Sequence, residues 1–253
     1  MAQLNSIVEH CNDLLRVQEF RDYCPNGLQV EGRSEVNSII CGVTACMDLI
    51  EAAIEKQADA LLVHHGYFWK NEEETITGIK AKRIQSLLEN GISLLAYHLP
   101  LDAHAQLGNN IALAQRLEID VNGCVEQGPA KGLLWDGELN DSVSADEFGR
   151  HIENKLNRKP MHLAASSNKP IKTIGWCTGG AQHYIEDAAK MGLDAFISGE
   201  VSEQSFHLAK ELDIHYFAAG HHATESYGVQ ALAEHLSKEF GVTAEFVDIH
   251  NPV

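Results

Sequence analysis

Residues 38–65 read SIICGVTACMDLIEAAIEKQADALLVHH: an apolar, β-branched run, a helical stretch, then a second apolar run that ends on two adjacent histidines. Short apolar runs at 38–45 and 60–65 on either side of a helix near 47–57 are the pattern of a strand–helix–strand unit. The rhythm repeats along the chain. Strands are expected at 92–98, 173–179, 195–200, 215–220 and 244–249, and helices near 79–90, 108–118, 182–191, 203–211 and 225–240. The last helix places Val229, Leu232, Ala233, Leu236 and Phe240 on one face. The fold class is therefore α/β. Residues 120–170 break the rhythm: richer in Gly, Asn, Ser and Asp, with one clear helix near 144–156, they read as a small α+β insert. Residues 1–119 and 171–253 are left as the main α/β domain.

The opening unit has an echo. With residue n set against residue n+135, Ile50, Glu51, Ala53, Asp59 and Ala60 meet Ile185, Glu186, Ala188, Asp194 and Ala195, and His65 falls opposite Glu200. Two related βαβ-containing halves would explain the match, as would the ordinary recurrence of small residues in such units.

A composition of 44% hydrophobic and 22% charged residues over 253 positions suits a folded protein with a large core. Nineteen Lys and Arg against 36 Asp and Glu give a net charge of −17, which works against nucleic acid and anionic membranes and favours a small or metal-bound partner. Cys11, Cys24, Cys41, Cys46, Cys124 and Cys177 show no CxxC and no disulfide-like spacing, and read as reduced thiols of a cytoplasmic protein. The N-terminal MAQLNSIVEHCNDLLRV reads as an amphipathic helix and not as a signal peptide. No run reaches the roughly 18 apolar residues of a membrane span.

Ligands of α/β sheets bind beyond the carboxyl ends of the strands, and this chain crowds those ends with polar residues. His64 and His65 close 60–65; YHLPLDAH carries His98, Asp102 and His104; Glu200 closes 195–200; AAGHHATE carries His221, His222 and Glu225. His221 and Glu225 stand four apart, so both point one way if the helix has begun by Ala223. Imidazole suits zinc, iron, nickel or copper, and carboxylate admits manganese. Three His and two carboxylates exceed what one tetrahedral ion uses and fit two ions sharing a carboxylate. A lone His at a strand end is more often structural, and His10, His151, His162, His183, His207, His215, His235 and His250 are assigned so or to solvent. A tandem pair closing an apolar strand is harder to dismiss, because burying an imidazole without a partner is costly. Neighbouring strand residues point to opposite faces. His64 and His65 therefore serve one site only if the strand ends at or before His64 and Gly66 lets the chain turn.

The blocks YCPNGLQVEG (23–32), GVTA (42–45), DALLVHHGYFWK (59–70), YHLPLDAHAQLGNN (97–110), DAFISGEVSEQ (194–204) and AAGHHATE (218–225) resemble the dinuclear-metal GTP cyclohydrolase 1 type 2-like family, also called NIF-three-like. The resemblance covers nearly the whole chain and has the short insert of enterobacterial members. It implies a toroidal homohexamer, a trimer of dimers, of α/β subunits, each with two divalent metal ions (zinc, iron or manganese) toward the interior of the ring. Carried over residue by residue, the ligands fall on His64, His65, Asp102, His221 and Glu225, with Glu225 bridging. It also implies hydrolytic opening of a purine- or pterin-like ring.

Two ions lower the pKa of a shared water and hold an electrophilic carbon against it, so hydrolysis is the expected chemistry. His98 and Glu200 are candidates for proton transfer or for support of a ligand. Tyr67, Phe68 and Trp69 could stack on a heterocycle or belong to the core, and Lys80–Arg83 could meet a phosphate or be solvated. Two other readings stay open. One is a non-enzymatic metal-binding ring acting as scaffold or partner-binding protein. The other is a two-metal phosphoesterase, faintly suggested by DAH (102–104) followed by GNN (108–110). A cysteine enzyme is disfavoured, since no Cys stands by a His at the strand ends.

Overall fold

The computed structural model describes residues 1–128 and 130–253. In chain order the elements are β1 (Ala2–Gln3), α1 (Leu4–Leu14), β2 (Gly27–Val30), β3 (Glu35–Val36), β4 (Ser38–Thr44), α2 (Met47–Glu55), β5 (Ala60–His65), α3 (Gly78–Asn90), β6 (Ser93–Ala96), α4 (Leu99–Ala103) and α5 (Asn109–Arg116). There follow β7 (Asp120–Cys124), β8 (Trp135–Val143), α6 (Ala145–Leu156), β9 (Met161–Leu163), β10 (Ile171–Cys177), α7 (Ile185–Lys190), β11 (Ala195–Ser198), α8 (Glu203–Glu211), β12 (His215–Ala218), α9 (His221–Phe240) and β13 (Thr243–Phe246). They form two compact units, Met1–Leu101 with Gly228–His250, and Asp102–Tyr227 with Asn251–Val253.

In the first unit the sheet order is β13-β4-β5-β6-β2, parallel throughout except for β2 at the edge. Ile40, Leu61, Val63 and Leu94 pack with Leu49, Ile50 and Ala53 of α2 and with Ile84 and Leu87 of α3. Ile39, Cys41, Leu62 and Leu95, of opposite parity, are buried as well. Both faces are covered, which is why these strands are written as unbroken apolar runs. Each such side chain contributes about 1.5–3 kcal/mol by leaving water. His10 of α1 meets His235 of α9 at 2.8 Å between their Nε2 atoms, a structural pair.

The second unit has the order β7-β8-β10-β11-β12-β9, with β10, β11 and β12 parallel and the flanking pairs antiparallel. Residues 120–170 supply β7, β8, α6 and β9 to this unit. Trp176, Ile197 and Phe217 pack with Leu113 of α5, Leu117 just after it, and Phe148 and Ile152 of α6. Phe196 and Tyr216 pack with Ile185 and Ala188 of α7 and Ala209 of α8. All six cysteines are free thiols, four of them buried.

The offset of 135 holds in the backbone. Ile39 pairs with Ala60 as Ile174 pairs with Ala195, and Cys41 with Leu62 as Trp176 with Ile197. On the third strand the offset falls to 122: Ser93 N–H donates to the Asp59 carbonyl as His215 N–H donates to that of Asp194, both at 3.0 Å. The two aspartates do the same work. Asp59 accepts from the backbone N–H groups of Asn37 (2.8 Å) and Ser38 (3.2 Å) and from Arg33 (3.0 Å). Asp194 accepts from the backbone N–H groups of Lys172 (3.0 Å) and Thr173 (2.9 Å) and from the Thr173 hydroxyl (3.0 Å). Each carboxylate thus ties the start of one strand to the start of its neighbour. Register and hydrogen bonding repeat together, so the two halves are duplicates and not a coincidence of small residues.

Burial raises both carboxyls, and the donors outweigh it, so each lies below its ordinary value of 3.8. A depressed folded value means that the stabilisation is present above about pH 3.8 and is lost as pH falls below it. Asp59→Asn and Asp194→Asn are each expected to lower the unfolding free energy at pH 7 by about 1–3 kcal/mol. Urea denaturation as a function of pH checks this, with the gap to the wild type closing below that value.

Candidate metal centre

The first unit carries the histidine-rich set. β5 runs through His65, one residue further than the alternation argument allows, yet the rings of His64 and His65 are neighbours with centroids 4.6 Å apart. The strict form of that expectation fails for a local reason. Beyond Val63, which pairs with Ala96, β5 keeps only β4 as a neighbour, and the His64 ring turns to donate from Nδ1 to the Tyr97 carbonyl at 2.8 Å. His64 is fully buried. His65 Nδ1 lies 3.2 Å from the Thr44 hydroxyl. Gly66 is required by crowding, since a Cβ there would lie 2.1 Å from Gln29 Oε1. Gln29 accepts from Tyr67 N–H (2.7 Å) and donates to the carbonyls of Pro25 (2.8 Å) and Tyr67 (3.1 Å), clamping the turn.

His98 joins this set. One ring nitrogen each of His64, His65 and His98 lies within 4.8 Å of the others, and His98 Nδ1 donates to Asp22 at 2.7 Å. Of the three aromatics after the histidine pair, Tyr67 is core, its hydroxyl donating to the Ala45 carbonyl at 2.8 Å. Phe68 packs on the same core beneath Lys80. Trp69 alone stays beside the imidazoles, 5.9 Å from His65 and 5.0 Å from His98. Lys80 donates to the Glu73 carbonyl at 2.6 Å and pairs with Glu72 at 3.4 Å, so it is engaged by its own loop.

The second unit carries the carboxylate-rich set. Asp102, 5% exposed, accepts on one oxygen from Asn109 (2.8 Å) and Thr178 (3.2 Å). α9 starts at His221, four residues before the expected 225, so His221 and Glu225 share a face, with Nε2 2.9 Å from the Glu225 carboxylate. His221 Nδ1 lies 2.8 Å from Glu200, and Glu225 is 2% exposed. The end of β10 gathers them. A Cβ on Gly179, whose φ is +66°, would lie 1.9 Å from Glu225 Oε1 and 3.0 Å from His221 Nε2. Gly179 N–H donates to the Thr224 hydroxyl at 3.1 Å, and burial with the charges of Asp102 and Glu225 pushes the Cys177 thiol well up. His104 is different: its Nδ1 accepts from the N–H groups of Gln106 and Leu107, so it caps its own turn. Asn109, Thr178, Thr224 and Gln29 support the two sets; Asn109, Thr224 and Gln29 lie within the quoted sequence blocks, but their bonding roles could not be read there, and the Thr178, Thr224 and Gln29 bonds reach segments distant in the chain.

Both sets suit a divalent ion. A carbonyl or a carboxylate can only accept, so Tyr97 and Glu200 oblige the Nδ1 atoms of His64 and His221 to carry hydrogen, which leaves Nε2 as the atom that could take an ion. Asp102 and Glu225 add hard oxygen donors at buried positions. Burial lowers His221, but Glu225 and Glu200 outweigh it and lift the imidazole from 6.5 to about 9.

An ion on His221 Nε2 must displace the proton held there, so metal loading of apoprotein is expected to release about one proton from this residue at pH 7–8, about half at pH 9, and progressively less above it. Calorimetry in buffers of different ionisation enthalpy reads this directly. Gly179→Ala pushes the Glu225 carboxylate aside and is expected to weaken metal binding by about 10- to 100-fold with circular dichroism unchanged. Equilibrium titration with zinc measures it.

Three comparisons place the chain among known proteins. It is 56% identical over 243 residues to the GTP cyclohydrolase 1 type 2 homolog of Vibrio cholerae, covering 96% of each. Its fold matches the solved structure titled protein ybgI, unknown function, at a TM-score of 0.95 and 44% identity, covering 100% of both chains. It also matches the solved structure of TTHA1606 from Thermus thermophilus at 0.87 and 31%, again covering 100% of both. The family profile described as Duf34/NIF3 (NGG1p interacting factor 3) matches residues 2–252, and the chain belongs to that family.

Proposed function

We propose that the chain is a metal-dependent hydrolase that opens or hydrolyses a purine- or pterin-like ring, using two divalent ions held by His64, His65, Asp102, His221 and Glu225. The observation that carries this reading is the assignment of ring nitrogens: His64 and His221 each have Nδ1 committed to an oxygen that can only accept. By contrast, His10 and His235 satisfy each other. The name GTP cyclohydrolase 1 type 2 homolog, carried by relatives such as that of Vibrio cholerae, supports the class of substrate.

Divalent ions, when bound, supply Lewis-acid polarisation of the ring and a water acidic enough to attack it near neutral pH. The chain's own groups do the rest. Glu200 holds the His221 ring in its ligating orientation, and His98, beside His64 and His65, handles protons. Trp69 offers an aromatic edge next to those imidazoles for a planar heterocycle. The same reading takes the protein to be a cytoplasmic toroidal homohexamer, a trimer of dimers. No helix among the described residues is long and apolar enough to cross a membrane.

Metal analysis of purified protein is expected to give about two equivalents of zinc, iron or manganese per chain, falling in His65→Ala. Loaded protein incubated with GTP, pterins and oxidised purines is expected to show ring opening in the ultraviolet. Fewer than one equivalent, unchanged by His65→Ala, ends the dinuclear reading. Full loading without turnover on any ring favours a metal-binding scaffold, and phosphate release without ring change favours a phosphoesterase.

A further inference from the structure

The block YCPNGLQVEG, with Asp22 just ahead of it, has a use beyond the clamp made by Gln29. Asp22 receives four N–H groups. One oxygen accepts from the Tyr23 backbone at 2.6 Å and from His98 Nδ1 at 2.7 Å; the other accepts from Asn26 Nδ2 at 2.8 Å and from the Leu99 backbone at 3.0 Å. Asn26 in turn accepts the backbone N–H of His98 at 2.7 Å. His98 is therefore gripped at its peptide and at its ring by two side chains more than 70 residues away in sequence. Trp69 stands edge-on to the ring at 84°, and Tyr23 lies 6.4 Å from it.

Asp22, Cys24 and His98 also lie close enough to be a metal site of their own. Two facts argue against that use. The carboxylate has about four acceptor positions, and all are spent on N–H donors. The Cys24 thiol is pushed up to about 12 by burial and by the neighbouring Asp22, so it keeps its proton. The cluster is built to orient an imidazole.

We propose that Asp22, braced by Asn26, is a positioning residue that holds His98 with hydrogen on Nδ1 and its lone pair on Nε2, making His98 the proton carrier of the ring hydrolysis. The inference rests on the hydrolase reading above. In the step it serves, Nε2 takes a proton from the attacking water as the water oxygen bonds to the ring carbon. It returns that proton to the ring nitrogen as the carbon–nitrogen bond breaks, so protons balance and no redox partner is needed. A carboxylate behind an imidazole serves in this way because it fixes the tautomer and steadies the transient cation.

The test uses zinc-loaded full-length protein with histidine-selective nitrogen NMR, the His98 signals being those absent from His98→Gln. Wild type is expected to show a protonated, pyrrole-type Nδ1 and a pyridine-type Nε2. Asp22→Asn should mix the tautomers and lower turnover of whichever ring is accepted by roughly a hundredfold or more, with KM little changed. Zinc content should be unchanged in both variants. A wild-type His98 protonated on Nε2, an Asp22→Asn protein with wild-type shifts and turnover, or a loss of zinc in His98→Gln would each overturn the proposal. Should Asp22→Asn misfold, the wild-type shifts decide it alone. Failure of wild type to turn over any ring would sink the hydrolase reading instead, leaving the nitrogen shifts to judge the Asp22–His98 pair.

Discussion

Parallel pairing is the constraint from which the rest follows. Strands that run the same way must be joined by crossovers, so their carboxyl ends fall along one edge. Both faces of β4–β5–β6 and of β10–β11–β12 are buried, so polar side chains there would be costly. The strand end is the exception. There the ladder runs out, the last peptide groups need partners, and side chains reach past the covering helices. His64, His65, His98, Thr178, Glu200 and His221 all stand at such ends.

What separates these residues from ordinary polar termini is the company they keep. An imidazole has two nitrogens and one hydrogen, so its neighbours decide which atom can bind a cation or take a proton. Tyr97, Glu200 and Asp22 decide it for His64, His221 and His98, each through an oxygen that cannot donate. His104 is decided the other way by two backbone N–H groups. His215 is decided by the Lys169 carbonyl at Nε2 and by the Ala165 N–H at Nδ1, which also meets His162 at 3.1 Å, and burial lowers both imidazoles. Hydrogen bonds thus give these histidines different roles, where residue type alone leaves them equal.

The parallel strands and their crossover helices were legible because burial on both faces leaves a plain apolar record; β5 and α8 fall at the expected residues. β8 was not. Gly137, Asn140, Asp141 and Ser142 dilute its pattern, and its pairing with β10 overrides their weak strand preference. The start of α9 was placed late because AGHH has no apolar periodicity. The strand-end residues could be listed from sequence, but their supports could not: Asp22, Asn26, Gln29 and Asn109 act through partners supplied by other segments. Tyr67 shows the converse, an aromatic beside a candidate ligand that turns out to belong to the core.

The change of offset from 135 to 122 carries a history. Two copies of one strand–helix–strand–helix–strand ancestor have diverged by a thirteen-residue gain or loss between their second and third strands. The stretch that only the first copy has follows His65 and bears Trp69. The copies have also parted in chemistry: His65 answers to Glu200, and His98, at the shorter offset, answers to Gly220, whose φ of +103° suits a bare backbone. At the same strand end one copy thus sets an imidazole and the other a carboxylate.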